Sequence, residues 1–155
     1  MSLKNYLVLL TLFSVGCGAG EVVDRPETFP VTGVVSLDGS PLAGATVTFR
    51  PKKKGGRGAV GMTDETGTYE LMTFDTADGA LPGDYMITVV KQEHTPGDPS
   101  YTDSNSDNYG KNPPPEAEAK TIDIVPSKYS DAKTSGFTAS VSEGENNFPL
   151  EVTSR

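Results

Sequence analysis

Tryptophan is absent from this chain of 155 residues, and cysteine and histidine occur once each. A lone cysteine excludes an internal disulfide, and with a single histidine it leaves no Cys/His zinc site. Basic residues are also scarce. Thirteen Lys and Arg stand against 21 Asp and Glu, a net charge of −8. Such a chain lacks the basic surplus that displaces phosphate counterions, which argues against a nucleic-acid partner. No apolar run reaches the roughly 20 residues that a bilayer-spanning helix needs. No 11-residue window repeats convincingly at the helical period. What the chain has in quantity is 17 Gly and 12 Pro, with a hydrophobic fraction of 35%. That is the composition of short strands and turns around one modest core, in a length that allows one domain with some to spare.

The N-terminus reads as an address. Residues 1–5 carry one base, Lys4, and no acid, and residues 6–15 are uncharged and rich in Leu, Val and Phe. This has the length of a signal-peptide apolar region and is too short for a membrane span. It leads into "SVGC", residues 14–17. The motif resembles the lipobox of bacterial lipoproteins, with Gly16 fitting well and Ser14 standing where that family prefers Leu. The resemblance implies cleavage before Cys17 and attachment of a diacylglyceryl group to its thiol, with palmitate-type acylation of the new amino terminus. It also accounts for the lone cysteine, since an unmodified thiol at an extracytosolic N-terminus would be exposed to oxidation. The same residues read as a small-x-small site for ordinary signal peptidase, which would release an unanchored, secreted protein. Loss of residues 1–16 removes Lys4 and no acid, so the remainder carries a net −9. Residues 17–29, with Gly, Pro and charges but no sustained pattern, are expected to form a flexible tether.

From residue 30 the period becomes two. In "VTGVVSL" Val31, Val35 and Leu37 share a face, and in "ATVTFR" Ala45, Val47 and Phe49 alternate with polar residues. "AVGMT" and "GTYELMTF" follow, the latter with Tyr69 and Leu71 aligned. "DYMITVV" aligns Tyr85, Ile87 and Val89, and "KTIDIV" aligns Ile122 and Ile124. "GFTASVS" aligns Phe137, Ala139 and Val141, and "NFPLEV" aligns Phe148, Leu150 and Val152. Turn signals fall between them at Asp38-Gly39, "ETG" 65–67, Pro82-Gly83 and Glu143-Gly144. The expected fold is all-β: an antiparallel Greek-key β-sandwich of about seven or eight strands over residues 30–155.

"VTGVVSLDGSPLAGATVTFRP", "GMTDETGTYEL" and "LPGDYMITV" together resemble the carboxypeptidase-regulatory-like, transthyretin-like (prealbumin-like) sandwich domains. The physical sense of each piece is visible: Asp38-Gly39 for a tight turn, Asp64 accepting backbone N–H groups across the turn to Gly67, and Pro82-Gly83 for a type II turn. The tail "IVPSKYSDAKTSGFTASVSEGENNFPLEV" is similar to the closing segment of small envelope lipoproteins of planctomycete-like bacteria. The resemblance implies a fold and an address, and little about activity.

Three groups of residues are candidates for chemistry. "RPKKKGGR" gathers Arg50, Lys52, Lys53, Lys54 and Arg57 around Gly55-Gly56, a patch for an anionic partner or a solvated hairpin that resists aggregation. Residues 92–119 form a long acidic insertion, expected to be mobile, with six acids against Lys111. Within it Asp103, Asn105 and Asp107 have the alternate spacing that starts a calcium loop. Asn108 stands where that loop needs Gly and Pro114 where it needs Glu, so an EF-hand is rejected and only a weak Ca²⁺ contact remains open. His94 lies in the same insertion without an evident nucleophile or orienting partner. The transthyretin-like hydrolases of purine catabolism use several histidines, which this chain lacks. Glycan binding would fall to Tyr101 and Tyr109. The expected function is therefore a non-enzymatic, cofactor-free structural or interaction module, lipid-anchored to a bacterial membrane in the cell envelope and facing the periplasm or the exterior. An envelope protein or polysaccharide is the expected partner. The alternatives are a secreted binding module for glycan or calcium, or an accessory domain of a hydrolase system.

Overall fold

The computed structural model describes residues 25–155. The expected signal peptide, Cys17 and the first part of the expected tether lie outside the described residues. Eleven strands and two single turns of 3-10 helix make up the described chain.

Two sheets face each other. The first is centred on β1 (Val31–Leu37), which pairs with β2 (Ser40–Pro41), β5 (Thr68–Glu70), β10 (Asn146–Asn147) and β11 (Leu150–Val152). The second has the order β4-β3-β6-β9, built from β3 (Thr46–Pro51), β4 (Ala59–Met62), β6 (Gly83–Val90) and β9 (Phe137–Val141). The alternation seen in the sequence puts the expected faces inward. Val31, Val35, Tyr69, Leu150 and Val152 from the first sheet meet Val47, Phe49, Tyr85, Ile87, Val89 and Val141 from the second, all buried. The all-β sandwich is thus the observed fold. Phe49 lies at its centre, with its ring 5.7 Å from that of Tyr85, 6.4 Å from Tyr69 and 6.0 Å from Phe148.

One feature departs from a purely antiparallel arrangement. β10 and β11 pair parallel with β1, with Val31 opposite Asn146 and Val35 opposite Leu150. Alternation fixes which residues face inward but says nothing of strand direction, so the parallel closure of the two chain ends is invisible in the pattern. The "KTIDIV" strand also differs from expectation. It forms as β8 (Lys120–Asp123), but pairs only with β7 (Gln92–Thr95), a strand formed by the first residues of the acidic insertion. This two-stranded arm projects from the sandwich, and Ile122 is exposed.

Turn chemistry explains the connections. Asp38 and Gly39 have φ of 49° and 83°, and Leu37 pairs with Ser40, so the β1–β2 hairpin turns through two residues of positive φ. Asp64 Oδ1 accepts from the backbone N–H of Thr66 at 2.8 Å and of Thr68 at 2.9 Å, and from the Thr66 hydroxyl. The Pro82-Gly83 turn is not closed as a type II turn. Gly83 has φ of 146°, and the Tyr85 hydroxyl reaches back to donate to the carbonyl of Leu81 at 2.8 Å. That is the corner tyrosine characteristic of β-sandwiches with Greek-key connections. Buried polar groups are satisfied in the same local way. Thr63 Oγ1 donates to Leu42 O and accepts from Ala45 N–H, and no buried side-chain polar atom among the described residues lacks a partner.

Candidate functional site

The basic residues come together as a surface because β3 and β4 are antiparallel neighbours and the cluster spans their connection. Thr48 pairs with Val60 and Phe49 with Ala59, which leaves residues 52–58 as the hairpin loop. Phe49 and Ala59 face the core, so Arg50 faces outward, and Lys52, Lys53, Lys54 and Arg57 in the loop are exposed. Gly55 has φ of 78°, which lets the chain reverse at the tip. The Lys52 N–H donates to the carbonyl of Asp84 at 2.8 Å and fastens the loop to the start of β6.

Two further residues join the patch that the sequence did not single out. The Arg57 guanidinium lies 4.9 Å from the ring centroid of Phe74, and that of Arg25 lies 5.5 Å from the same ring, both within cation–π range. Arg25 Nη1 also bonds Asp75 Oδ2 at 2.8 Å, the one ion pair among the described residues. Arg25 lies in the expected tether and Phe74 at the end of the expected "GTYELMTF" strand. The bridge between Val60 and Met72 brings the Phe74 segment beside the hairpin, that between Phe29 and Ala80 brings the Arg25 segment to it, and no local pattern foretells either pairing. At the foot of the hairpin is a pocket of about 190 Å³, lined by Pro51, Lys53, Arg57, Leu81, Pro82 and Asp84 among others.

The remaining candidates are placed apart. His94 is exposed on β7, and its Nδ1 meets the Thr121 hydroxyl across the arm at 2.8 Å. Beyond the arm, residues 96–119 fold upon themselves. Asp98 caps a 3-10 turn by accepting from Ser100 N–H, and Asp103 Oδ1 accepts from both the backbone and side-chain nitrogens of Asn105. The Asp103 carboxylate is therefore engaged with the very residue that would share a cation with it. No cluster of three or more His, Cys, Asp or Glu groups with metal-binding geometry occurs among the described residues. Tyr101 lines a pocket of about 430 Å³ with Pro99, Pro113, Ala117 and Glu118, whereas Tyr109 is exposed outside it.

Several titratable groups are shifted by the fold. Hydrogen bonds from Thr66 and then Thr68 hold the Asp64 carboxyl below the usual carboxylate range. At Asp78 burial pulls upward, but backbone N–H groups of Thr73, Phe74 and Asp75 outweigh it, and the net shift is downward. Burial raises the Tyr69 and Tyr85 hydroxyls. Each of these groups caps a turn or pins the sandwich.

No protein-family model and no curated protein matches the chain. Among solved structures, the chain is similar to a DUF3823 family protein from Parabacteroides merdae, with a TM-score of 0.38 and 15% identity over 84% of this chain and 47% of that one. It is also similar to a 9R-lipoxygenase from Cyanothece, with a TM-score of 0.35 and 14% identity over 86% of this chain and 18% of that one. The chain thus spans about half the length of the first and under a fifth of the second.

Proposed function

We propose that the protein is a lipoprotein of the bacterial cell envelope, acylated at Cys17 and tethered to a membrane, whose β-sandwich serves as a non-enzymatic structural or interaction module. The observation that carries this reading is the apolar segment 6–15 running directly into "SVGC", which contains the chain's one cysteine. The layout of the domain supports it. The described chain begins at the end of the sandwich where β6 starts, because Phe29 bridges Ala80 and the first residue of β1 lies opposite Asn146. The β7–β8 arm leaves from the other end of β6, after Val90. Across the seven residue steps of β6 the two ends are about 23 Å apart. A tether at one end would leave the arm, and residues 96–119 beyond it with their pocket and exposed Tyr109, at the end away from the membrane, free to meet an envelope partner.

Labelling the native host with radioactive palmitate, wild type beside Cys17→Ala, tests the reading. Label in the wild type alone, with the variant shed or unprocessed, is expected. An unlabelled wild-type protein recovered from the medium with its N-terminus near Cys17 overturns it in favour of a secreted module.

A further inference from the structure

We propose that the β3–β4 hairpin, together with Arg25 and Phe74, forms a membrane-facing surface that holds the phosphate headgroups of anionic lipids next to the anchor. The orientation rests on the anchoring of Cys17 argued above; the binding itself rests on charge and geometry.

Charge comes first. Arg50, Lys52, Lys53, Lys54 and Arg57 are exposed, and none forms an ion pair among the described residues. Acids outnumber bases 21 to 13 in this chain, so carboxylates to neutralise these cations are plentiful. Instead the cations cluster on one side of one end of the sandwich, where Asp84, Asp75 and Asp78 are the acids beside them and the local balance is positive. Position comes second. Arg25 and Arg57 lie against the same Phe74 ring, so the point where the tether enters the sandwich is also the edge of the basic surface. From Cys17 to Arg25 the chain spans at most about 28 Å fully extended. This end of the domain is therefore held closest to the bilayer. Shape comes third. The pocket of about 190 Å³ below the loop joins Lys53 and Arg57 to the apolar Pro51, Leu81 and Pro82, a lining suited to a phosphate with a glycerol stem.

The negative net charge does not oppose this. At physiological ionic strength the field of an anionic surface decays over about 8 Å. The acidic insertion leaves from the far end of β6, about 23 Å away. Glu143 and Glu145 are at the near end, but in the turn after β9, while the hairpin ends at β4. Those strands are the opposite edges of the second sheet, three strand spacings or about 14 Å apart. Asp84 is the one acid at the pocket itself, and Asp75 is already paired with Arg25.

The test uses the chain from residue 17 onward, which retains every described element, with Cys17→Ser so that no acyl chain contributes. It is sedimented with vesicles of phosphatidylcholine alone or of phosphatidylcholine with phosphatidylglycerol. Preferential binding to the anionic vesicles is expected. Replacing Lys52, Lys53 and Lys54 together by Gln is expected to lower the partition about a hundredfold, near fivefold per charge, and Arg57→Gln alone about fivefold. Replacing Lys111, Lys120 and Lys133 by Gln removes the same charge from elsewhere and is expected to leave partition unchanged. Equal binding to both vesicles, or a hairpin triple variant that binds like wild type, overturns the proposal. So does displacement by a soluble acidic polysaccharide at lower charge concentration than the lipid, which would assign the hairpin to a polymer. Because no acyl group takes part, a negative result leaves the palmitate experiment untouched, and an unlabelled Cys17 leaves this one untouched.

Discussion

Gly33→Ala is expected to cost far more than a single methyl group in a strand ordinarily does. Gly33 lies in the middle of β1 opposite Tyr69, and a Cβ there would overlap the carbonyl oxygen of Phe148 and come within 2.7 Å of both Cε1 and the hydroxyl of Tyr69. That hydroxyl donates to the same Phe148 carbonyl at 2.7 Å, and the Tyr69 side chain is fully buried beside Phe49. The methyl can be admitted only by moving Tyr69 or by lifting β11's leading segment away from β1. Overpacking of this kind costs about 1–3 kcal/mol, and a buried hydroxyl parted from its acceptor costs about 1–3 kcal/mol more. Against this, the reduced freedom of the unfolded chain returns roughly 0.4–1 kcal/mol. The net expectation is a destabilisation of about 1–5 kcal/mol. Urea unfolding followed by tyrosine fluorescence reads it directly, since there is no tryptophan to interfere. Tyr69→Phe alone is expected to cost about 1–3 kcal/mol. The double variant should cost less than the sum of the two, because the hydroxyl that the methyl strikes is then gone. A Gly33→Ala protein with an unchanged urea midpoint, or strict additivity in the double variant, would refute the account of how the two chain ends are clamped.

Asn146→Ala removes a side chain that accepts from Ser142 N–H and donates to the carbonyls of Ser142, Gly144 and, more weakly, Pro30. A loss of about 2–3 kcal/mol is expected, read as a lower thermal midpoint. Asp64 gives a pH dependence of known sign. Its carboxyl is held below the unfolded value of about 3.9, so its contribution is complete above that pH and lost as pH falls through the folded value. The gap in urea midpoint between wild type and Asp64→Asn should therefore be constant near neutrality and close on acidification; a gap that widens in acid would contradict the turn geometry. Replacing Asp98, Asp103, Asp107, Glu116 and Glu118 by their amides changes net charge more than the hairpin triple variant does. Its effect on anionic-vesicle binding is nonetheless expected to stay within about twofold, because those groups lie beyond the screened field.

The inward faces were legible because a sandwich strand exposes one side and buries the other, and Val31, Val35, Val47, Phe49, Tyr69 and Ile87 carry that alternation in plain form. Turns were legible where one residue type supplies the backbone angle, as at Asp38-Gly39, and less so where a distant hydroxyl closes the corner, as Tyr85 does. β7 was hidden because "QEHT" is polar on both sides, as a strand in a solvent-exposed arm can afford to be. Ile122 looked like core because an isolated apolar residue in an alternating run does not reveal that its strand has only one neighbour. The five basic residues were legible as a run, but Arg25 and Phe74 were not, since contacts across about 20 to 50 positions follow from topology and leave no local trace.

Topology also decides what the net charge of this protein means. A chain with eight more acids than bases would ordinarily be expected to avoid an anionic surface. Screening makes only the groups within about a Debye length of that surface count, and β6 separates the two ends of the sandwich by more than two such lengths. The parallel closure of β10 and β11 on β1 matters for this reason. It ties the chain's entry to the end where β6 starts, which is also the end that the β3–β4 loop reaches, because β3 runs antiparallel to β6 with Pro51 opposite Tyr85. Had the entry strand run the other way, the tether would emerge beside the acidic arm, and the basic hairpin would point into solvent. The same pairing that completes the core thus brings the chain's entry and the basic hairpin to one end of the sandwich.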